Sequence, residues 1–447
     1  MADGRDGAPQ GRSNKPISSK KALANENRLI ALGDAVDRQS GVERHGQRPK
    51  RPNRRRRRVF IALGSVLALI VVIAGGGYLY ANYRFDQIPK IHVGSDLPQL
   101  AGKPFNILEI GSDSRAGLTG KVAIATGASS TPGQRSDVVK IMHIDPEAGT
   151  ISVLSIPRDT MVTLLANTSL YGNFNRINVN FDNGPSLLVK TIEANFGIPI
   201  QHVIVVSFAG LMNSIDAIGG IYLDFRYPAK DEFSGLNIKT TGCQIVTRFQ
   251  ALAVARSRHY EWYQNGVWNF DGTSDFGRIL RQDAFMRAMI NRVRGLYNPL
   301  SINNFLSKIP QGISLDDKFT LRELVALAVK FHGINPNAML TYTLPTIAGV
   351  SPTVGDVLYE DQPAAQQMLV SLFGNSLLTP TNPPPNTAGQ TPPPPTIAPT
   401  TTTSTTTTTV KSSGKSKTST TTTTIPALAV AGSTQATPPY DPVPCSP

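Results

Sequence analysis

The sequence predicts an α/β fold in which helices sandwich a mixed central sheet, placed after one N-terminal transmembrane helix. Between residues 81 and 378, β-branched apolar runs alternate with helical runs. A charge-free apolar run, Val59–Tyr80, precedes this block, and a Thr-, Pro- and Ser-rich segment follows it from Thr379. These observations predict five segments: a basic disordered arm (1–58), a membrane helix (59–80), a linker (81–104), an α/β domain (105–378) and a disordered tail (379–447).

The N-terminal arm carries most of the net charge of the chain. Residues 1–58 contain 16 Lys and Arg against 6 Asp and Glu, a balance of +10, whereas the rest of the chain contains 28 against 25. Arg54–Arg58 flank the apolar run, which would span roughly 33 Å as a helix at about 1.5 Å per residue. The positive-inside rule then places the arm in the cytoplasm and everything after about residue 81 outside the plasma membrane.

One alternative exists to this topology and one to the role of the basic arm. The sequence around Arg57 and Arg58 loosely resembles a twin-arginine signal, but the apolar run is too long for a signal peptide and no A-x-A cleavage site follows it. The basic arm also has the charge to bind nucleic acid, yet a basic tail beside a membrane helix favours contact with anionic lipid head groups.

The two cysteines, Cys243 and Cys445, leave their pairing open. An oxidising exterior permits a disulfide, but Cys445 lies at the end of the predicted flexible tail. A tethered tail and two free thiols therefore both remain.

Five apolar runs bounded by Gly, Pro or Asp are predicted strands: Phe105–Gly111, Val138–Ile144, Ile151–Ile156, Val203–Phe208 and Ile221–Phe225. Three helices follow from their first residues. Pro185–Phe196 has proline at its first position, Ser274 can cap a helix that runs to about Arg294, and Thr320 with Glu323 forms a capping box for a third helix.

Charged side chains cluster where predicted strands end or begin, in Gly111–Arg115, Arg135–Asp137 and Pro157–Asp159. A further block, Ala255–Gln282, is rich in arginine. Ligands of open α/β folds bind at strand ends, so these segments are predicted to meet at one site. Carboxylate oxygens suit Mg²⁺, and several guanidinium groups suit a pyrophosphate. Any one of these segments alone is more often a local salt bridge, a cap or a solvated face.

Spacing refines the arginine block. Arg256 and Arg258 are two residues apart and would share a face of a strand. Asp275, Arg278 and Gln282 fall at i, i+3 and i+7, one face of a helix.

The chain resembles the LytR-CpsA-Psr family, extracytoplasmic ligases that attach glycopolymers to the bacterial cell wall. The matching segments, in order over about residues 105–290, are FNILEIGSDSR, RSDVVKIMHIDPEAGTISVLSIPRD, RINVNFDNGPSLLVKTIE, IDAIGG, QALAVARSRHY and DFGRILRQ. Six ordered segments make this resemblance specific.

The resemblance implies a phosphotransferase that uses Mg²⁺, with Mn²⁺ as the alternative metal. It would move a glycopolymer from a polyprenyl-pyrophosphate carrier to peptidoglycan, form a phosphodiester and release polyprenyl phosphate. The lipid tail would lie in an apolar groove between the sheet and the helices. The implied catalytic residues are Asp113, Asp137, Arg158 and Asp275, with Asp113 and Asp137 on the metal. The implied pyrophosphate-binding residues are Arg135, Lys190, Arg256, Arg258, Arg278 and Gln282. The same pattern leaves Arg281 as a surface residue.

Three other functions compete with this expectation. A non-catalytic module would bind the same lipid-linked glycan, and a pyrophosphatase would use water as the acceptor. A transcriptional attenuator is disfavoured because the predicted topology keeps the domain away from nucleic acid. The stretch Glu261–Gly272, with Trp262 and Trp268, is either a loop over the acceptor groove that stacks on sugars or a packed surface loop. The identity of the glycopolymer does not follow from the sequence.

Overall fold

The structure is a computed structural model, and it describes residues 27, 28, 31, 54–93, 104–113, 136–295, 299–331, 335, 336, 339–385 and 437–446. The chain divides into two units, Met1–Ala74 and Gly75–Pro447. Most of the predicted arm, residues 94–103 of the predicted linker and most of the predicted tail lie outside the described residues.

The described α-helices are α1 (Arg54–Phe85), α2 (Thr168–Tyr171), α3 (Pro185–Phe196), α4 (Phe208–Ile218), α5 (Arg248–Arg256), α6 (Asp275–Arg294), α7 (Pro299–Lys308), α8 (Leu321–Phe331) and α9 (Gln362–Phe373). Short 3₁₀ helices span Ile177–Asn183, Ile309–Gln311 and Gly374–Ser376.

The described strands are β1 (Lys90–Ile91), β2 (Phe105–Ser112), β3 (Ser136–Asp145), β4 (Thr150–Ser155), β5 (Met161–Thr163), β6 (Phe174–Arg176), β7 (His202–Ser207), β8 (Ile221–Phe225), β9 (Ala229–Asp231), β10 (Leu236–Ile238), β11 (Gly242–Val246), β12 (Glu261–Gln264), β13 (Val267–Phe270), β14 (Ile313–Asp316), β15 (Leu340–Thr343), β16 (Thr346–Ser351), β17 (Gly355–Glu360) and β18 (Val443–Pro444). All five predicted strands and all three predicted helices are present, with boundaries that differ by at most two residues where a residue was predicted.

Helix α1 has the length and composition of a membrane span. Its segment Ala62–Phe85 has a mean hydropathy of 2.1, and no other helix in the described ranges meets the same criteria. Side chains such as Leu63 (68% exposed) and Ile73 (65% exposed) are largely uncovered by the residues that the structure describes. An apolar helix of this length, with its backbone hydrogen bonds satisfied internally, fits a lipid environment.

A seven-stranded sheet forms the centre of the second unit, in the order β1-β14-β7-β2-β3-β4-β15. The pairs β1/β14, β2/β7 and β4/β15 are parallel, and the other neighbours are antiparallel. The prediction of a mixed sheet flanked by helices is therefore confirmed. Smaller sheets, β10-β9-β12-β13 and β11-β8-β18, and two hairpins, β16/β17 and β5/β6, complete the fold.

The two faces of the central sheet pack against different helices. On one face, Leu108 and Ile110 of β2 share a core with Leu188 and Ile192 of α3 and with residues of α9. Because side chains alternate along a strand, Glu109 and Gly111 of β2 point to the opposite face. Helices α4, α5 and α6 lie on that second face, around the cavity described below.

The segment that follows the membrane helix is not a free linker, which corrects the predicted boundary at residue 105. Phe85 and Ile88 are almost fully buried in a cluster with Leu315 and Phe319. Strand β1 then pairs with β14 at the edge of the central sheet. Apolar side chains at the end of an apolar helix can be buried either in the domain or in the bilayer, and the sequence alone does not distinguish these environments.

The C-terminal residues pack onto the domain, so the prediction of disorder is wrong for residues 437–446. Cys445 forms a disulfide with Cys243, with 5.9 Å between their Cα atoms. Strand β18 pairs with β8, and the ring of Tyr440 stacks on Trp262 at 3.9 Å. The average composition of the tail did not predict that these residues are ordered, because each is held by one specific partner and not by a large buried apolar area.

Candidate active site

The two predicted metal-binding carboxylates lie at the same end of adjacent strands. Ser112, the last residue of β2, pairs with Ser136, the first residue of β3. Asp113 follows the first and Asp137 follows the second, so the antiparallel pairing brings both to one edge of the sheet. Gly111 permits this pairing, since a Cβ at that position would lie 2.6 Å from the Cβ of Val138.

The PRD segment supplies the first guanidinium group. Arg158 Nη1 donates to Asp137 Oδ1 at 2.5 Å, and its Nε lies 3.5 Å from Asp159 Oδ2. Arg158 and Asp137 are each about one-quarter exposed. The structure thus joins the segment after β4 to the start of β3.

Arg256 and Arg258 reach the site from a helix end and a loop, not from a strand as predicted. Arg256 is the last residue of α5, and its guanidinium lies 5.1 Å from the ring centroid of Phe208. The carboxylate of Asp231, which is fully buried, accepts hydrogen bonds from the Ser257 hydroxyl and from the backbone N–H of Arg258. A run of QALAVAR has helical apolar spacing, which overrides the two-residue argument used for a strand.

Helix α6 presents the predicted face. Arg278 is 4% exposed, and its Nη2 lies 2.8 Å from Asp275 Oδ1 and donates to the backbone carbonyl of Asp137 at 2.9 Å. Arg258 Nε lies 3.4 Å from the same Asp275 oxygen. Gln282 donates from Nε2 to the carbonyl of Ala255 at 3.0 Å, which ties α6 to the residue before Arg256.

Arg281 is not a surface residue, contrary to the prediction. It is fully buried and its Nη1 forms ion pairs with Asp271 at 2.8 Å and Asp441 at 2.7 Å. Gly277 leaves room for this network, because a Cβ there would lie 2.4 Å from Asp271 Oδ2. The buried pair with Asp441 comes from the C-terminal segment, 160 residues away.

Both carboxylate oxygens of Asp275 are buried without a well-aligned hydrogen bond among the described residues. The Nε atoms of Arg158, Arg258 and Arg278 share this condition. Buried polar atoms in folded proteins are normally satisfied, and a polar ligand or water could satisfy this group of neighbouring atoms. The Nε atoms of Arg281 and Arg287 are also unsatisfied. Asp441, beside Arg281, has one unsatisfied carboxylate oxygen as well.

The electrostatics of the cluster favour an anion. Burial lowers the pKa of the Arg278 guanidinium, and Asp275 and Asp137 offset this only in part. Burial raises the pKa of Asp137, but Arg278 and Arg158 outweigh it and hold that carboxyl below its usual range. Burial likewise opposes the charge of Arg158, and Asp137 with Asp159 outweighs it, so its pKa is raised. A further anion beside Arg278 would repay the remaining desolvation.

An apolar cavity of about 170 Å³ opens beside these charges, well above the ~10–15 Å³ that one water requires. Leu211, Leu252, Phe285, Met286 and Met289 line its apolar part. Its charged end is lined by Asp137, Arg256, Arg278 and Gln282. A smaller adjoining cleft shares three of these four and adds Arg158 and Asp275. The site therefore joins the arginine cluster to an apolar groove between sheet and helices.

Two cavity residues were missed by the sequence argument. Glu109 and Lys140 pair directly across β2 and β3 and line the cavity. Lys140 forms a buried ion pair with Asp283 of α6 and a hydrogen bond with Ser155. Burial raises the pKa of Glu109, and Lys140 opposes this. The available signal was a lone charge inside each of two apolar strands, at positions that face each other.

One predicted pyrophosphate ligand, Lys190, is not brought to the site, and another cannot be compared. Arg135 lies outside the described residues. Lys190 is exposed on α3, which packs on the face of the sheet opposite to the cavity. Within the described ranges, no contact joins Lys190 to the arginine cluster.

The donor set of the cluster fits Mg²⁺. Mg²⁺ is commonly held by one or two carboxylates together with substrate phosphates and water. Asp113 and Asp137 are two carboxylates at one sheet edge, and the described residues contain no group of three or more His, Cys, Asp or Glu that would suit an all-protein metal cage. A site of this kind would require phosphate to complete it.

Comparison with known proteins gives concordant matches. The model of the LytR_cpsA_psr family matches residues 84–372. The chain is 28% identical over 318 residues to the "Probable cell wall biosynthesis protein LcpB" of Corynebacterium glutamicum, covering 70% of this chain and 69% of that protein. It is 30% identical over 301 residues to the "Polyisoprenyl-teichoic acid--peptidoglycan teichoic acid transferase TagV" of Bacillus subtilis, covering 64% and 70%.

A solved structure shares the fold. The "LytR-Csp2A-Psr enzyme from Actinomyces oris" superposes with a TM-score of 0.51 at 21% identity, covering 66% of this chain and 97% of that one.

Proposed function

Because the chain belongs to the LytR-CpsA-Psr family, we propose that it is a membrane-anchored transferase that moves a glycopolymer from a polyprenyl-pyrophosphate carrier to peptidoglycan. The relatives named as teichoic acid–peptidoglycan transferases support glycopolymer transfer in general. The carrier, the released product and the metal are parts of the proposal.

One observation carries the proposal: a partly buried cluster of guanidinium groups lies at the charged end of an apolar cavity. Arg158, Arg258 and Arg278 converge on two carboxylates, with Arg256 beside them on the cavity lining. A lipid pyrophosphate is complementary to this arrangement, because it joins a negatively charged group to a long apolar chain. The lipid would enter the cavity while its pyrophosphate pairs with the arginines.

The transfer step follows from this placement. A sugar hydroxyl of the acceptor attacks the phosphorus that bears the glycan, forming one P–O bond, and the bond from that phosphorus to the bridging oxygen breaks. Polyprenyl phosphate leaves with the electron pair of that bond, and the hydroxyl proton passes to the leaving phosphate or to water. Phosphoryl transfer depends mainly on positioning and charge stabilisation, which fixed guanidinium groups provide.

Asp275 acts on the arginines in this proposal. Its Oδ1 lies 2.8 Å from Arg278 and 3.4 Å from Arg258, so it orients both. Orientation is therefore the role that its contacts support.

Asp113 and Asp137 would hold Mg²⁺ together with pyrophosphate oxygens. When bound, the metal would supply neutralisation of phosphate charge. Arg278 and Arg158 hold the pKa of the Asp137 carboxyl below its usual range, which favours its charged form.

The proposed location is the outer side of the plasma membrane. The apolar helix provides a single anchor, and the arginines before it favour a cytoplasmic N-terminus. The disulfide between Cys243 and Cys445 is typical of an oxidising compartment.

The proposal is tested with the full chain in detergent, a polyprenyl-pyrophosphate oligosaccharide and peptidoglycan fragments. Wild type is expected to form a covalent glycan–peptidoglycan phosphodiester, detected by mass. Arg278→Lys should reduce the rate at least about tenfold, since lysine lacks the planar fork that reaches Asp137, Asp275 and the substrate together. Chelation of divalent metal should also stop transfer.

The matched control is Arg292→Lys on the same helix, whose Nε donates to the Ile218 carbonyl roughly 21 Å from Arg278 by helix rise. This variant should transfer at the wild-type rate. Binding of donor by wild type without any product would indicate a binding module. Release of a free phosphoglycan in place of the phosphodiester, with peptidoglycan fragments present, would indicate a pyrophosphatase. Either result would refute the transferase.

A further inference from the structure

The hairpin formed by β12 and β13 separates its two tryptophans onto opposite faces of a small sheet. Trp262 points inward, where its ring stacks on Tyr440 with an interplanar angle of 5°. Trp268 points outward and is 45% exposed. The cross-strand pairs Glu261↔Phe270 and Tyr263↔Trp268 set this arrangement, because paired residues share a face.

The outward face is an exposed aromatic surface, which we name the aromatic face. It consists of Tyr263, Trp268 and Phe270, extended by His259 and Phe233. Tyr263 and Trp268 have ring centroids 5.3 Å apart, and the His259 ring lies 4.4 Å from Phe233 and 6.4 Å from Phe270. Phe233 is 75% exposed and Phe270 is 58% exposed. Clustered exposed rings on a soluble surface indicate a binding surface.

Polar groups are set among these rings. Lys230 Nζ lies 4.7 Å from the ring centroid of Trp268 and 3.2 Å from Glu261 Oε2. Asn237 is exposed at the position that pairs with Lys230. An apolar protein partner would leave these charges desolvated at a cost. A sugar instead offers C–H faces for the negative faces of the rings and hydroxyl groups for Lys230, Glu261 and Asn237.

The aromatic face is continuous with the arginine cluster. His259 directly follows Arg258, and the buried Asp231 carboxylate accepts from the backbone N–H of both residues. The ring of His259 therefore turns to the aromatic face while the guanidinium of Arg258 turns to Asp275.

Helix α6 orders the three parts of the site. Phe285, Met286 and Met289 line the apolar cavity, Arg278 and Gln282 line its charged end, and Asp275 begins the helix. Met289 and Asp275 are roughly 21 Å apart at about 1.5 Å per residue. Phe270 ends β13 only five residues before the helix begins. The sequence of surfaces is thus apolar, cationic and aromatic.

A lipid-linked glycan has the same order of parts: hydrocarbon, pyrophosphate and sugars. We propose that the aromatic face binds the first sugars of the donor glycan, next to the pyrophosphate. This inference rests on the proposed function, since it assigns a subsite to the same donor. The face would hold the glycan-bearing phosphorus in position and would favour donors that carry pyranose sugars there.

Direct binding tests the proposal, because the chain has only two tryptophans. In the full chain with Trp262→Phe, Trp268 alone reports by fluorescence. A polyprenyl-pyrophosphate disaccharide is expected to change its emission and to bind about tenfold more tightly than polyprenyl pyrophosphate without sugar. In a Trp262→Phe background, Phe233→Ala with Phe270→Ala should abolish this difference while leaving the affinity for the sugar-free lipid unchanged.

Val350→Ala is the matched control, since Val350 is 71% exposed on β16 and belongs to neither surface. It should keep the preference for the disaccharide. Equal affinity of the parent protein for both lipids would overturn the aromatic face as a donor subsite and leave the transferase proposal intact. A response of Trp268 to lipid-free peptidoglycan strands, with none to the disaccharide donor, would assign the face to the acceptor and also overturn it. If neither lipid binds, the proposed function fails, and this inference fails with it.

Discussion

Arg278 and Arg281 lie three residues apart on α6 and have different partners. Arg278 faces two carboxylates beside a cavity, where its desolvation is only partly offset. Arg281 is enclosed by Asp271, Asp441 and the carbonyl of Ser257. A buried cation whose desolvation is fully offset by protein acceptors stabilises local structure, whereas one whose desolvation is only partly offset favours a further anionic ligand.

Glu360 makes stability depend on pH. It is 7% exposed, and burial raises its pKa to about 7 from an ordinary value of 4.5, with Gln362 opposing the shift by a hydrogen bond. The folded chain therefore keeps a proton that the unfolded chain releases between about pH 4.5 and 7. This contribution is complete below 4.5 and is lost as pH rises through the window, roughly 3 kcal/mol at most.

Glu360→Gln should remove this dependence, because the amide is neutral at every pH. Denaturant unfolding of both proteins between pH 4.5 and 7.5 measures it. The free energy of unfolding of wild type should fall relative to that of the variant as pH rises. A constant difference between the two proteins across the window would contradict the assignment.

At the scale of elements, local signals set the ends of helices. Thr320 and Glu323 form the predicted capping box: Glu323 Oε2 accepts from the Thr320 N–H at 2.8 Å, and Thr320 Oγ1 accepts from the Glu323 N–H at 3.2 Å. The predicted cap at Ser274 is different. Ser274 precedes α6 with φ 51° and makes no side-chain cap, and Asp271 instead accepts from the Thr273 N–H before the helix begins.

Thr320→Ala should lower the free energy of unfolding by about 1 kcal/mol, since it leaves an N-terminal N–H of α8 without its acceptor. Chemical denaturation of the full chain in detergent measures the loss. Glu323→Gln is the control, because an amide oxygen can still accept from Thr320. A loss for Glu323→Gln as large as that for Thr320→Ala would assign the stabilisation to charge instead of to the capping box.

At the scale of the whole molecule, the chain closes on itself. The disulfide links residues separated by 202 positions, and the segment that carries it places Asp441 against Arg281. Asp441 thereby supports the helix that carries Arg278 and Gln282. The far end of the chain is part of the scaffold of the candidate site.

Cys445→Ser should therefore destabilise the full chain by about 3–5 kcal/mol, because the bridge closes a very long loop and holds the contacts of Tyr440 and Asp441. Thermal unfolding with and without reductant measures this effect. Reductant should lower the melting temperature of wild type and leave that of the variant unchanged. Equal sensitivity of both proteins to reductant would exclude the bridge as the cause.

Much of the fold was predictable from neighbouring residues. The run FNILEIGS alternates faces and forms a central strand, and proline at the first position starts α3 at Pro185. The charges at strand ends were also predictable, since Asp137, Arg158 and Arg278 do meet. Arg256 was placed on the wrong type of element because a two-residue spacing is weaker evidence than the helical period around it.

By itself, the sequence determined the basic arm, the apolar helix, the order of strands and helices, and the motifs shared with the family. Each depends on composition or on residues within a few positions of one another. Only the tertiary structure decided that Arg281 is buried and that Lys190 lies on the face of the central sheet opposite to the cavity. It also decided that Trp262 and Trp268 lie on opposite faces of the small sheet. Burial depends on which surfaces meet, and here the deciding contacts join residues far apart in sequence, as Arg281 with Asp441 and Trp262 with Tyr440 show.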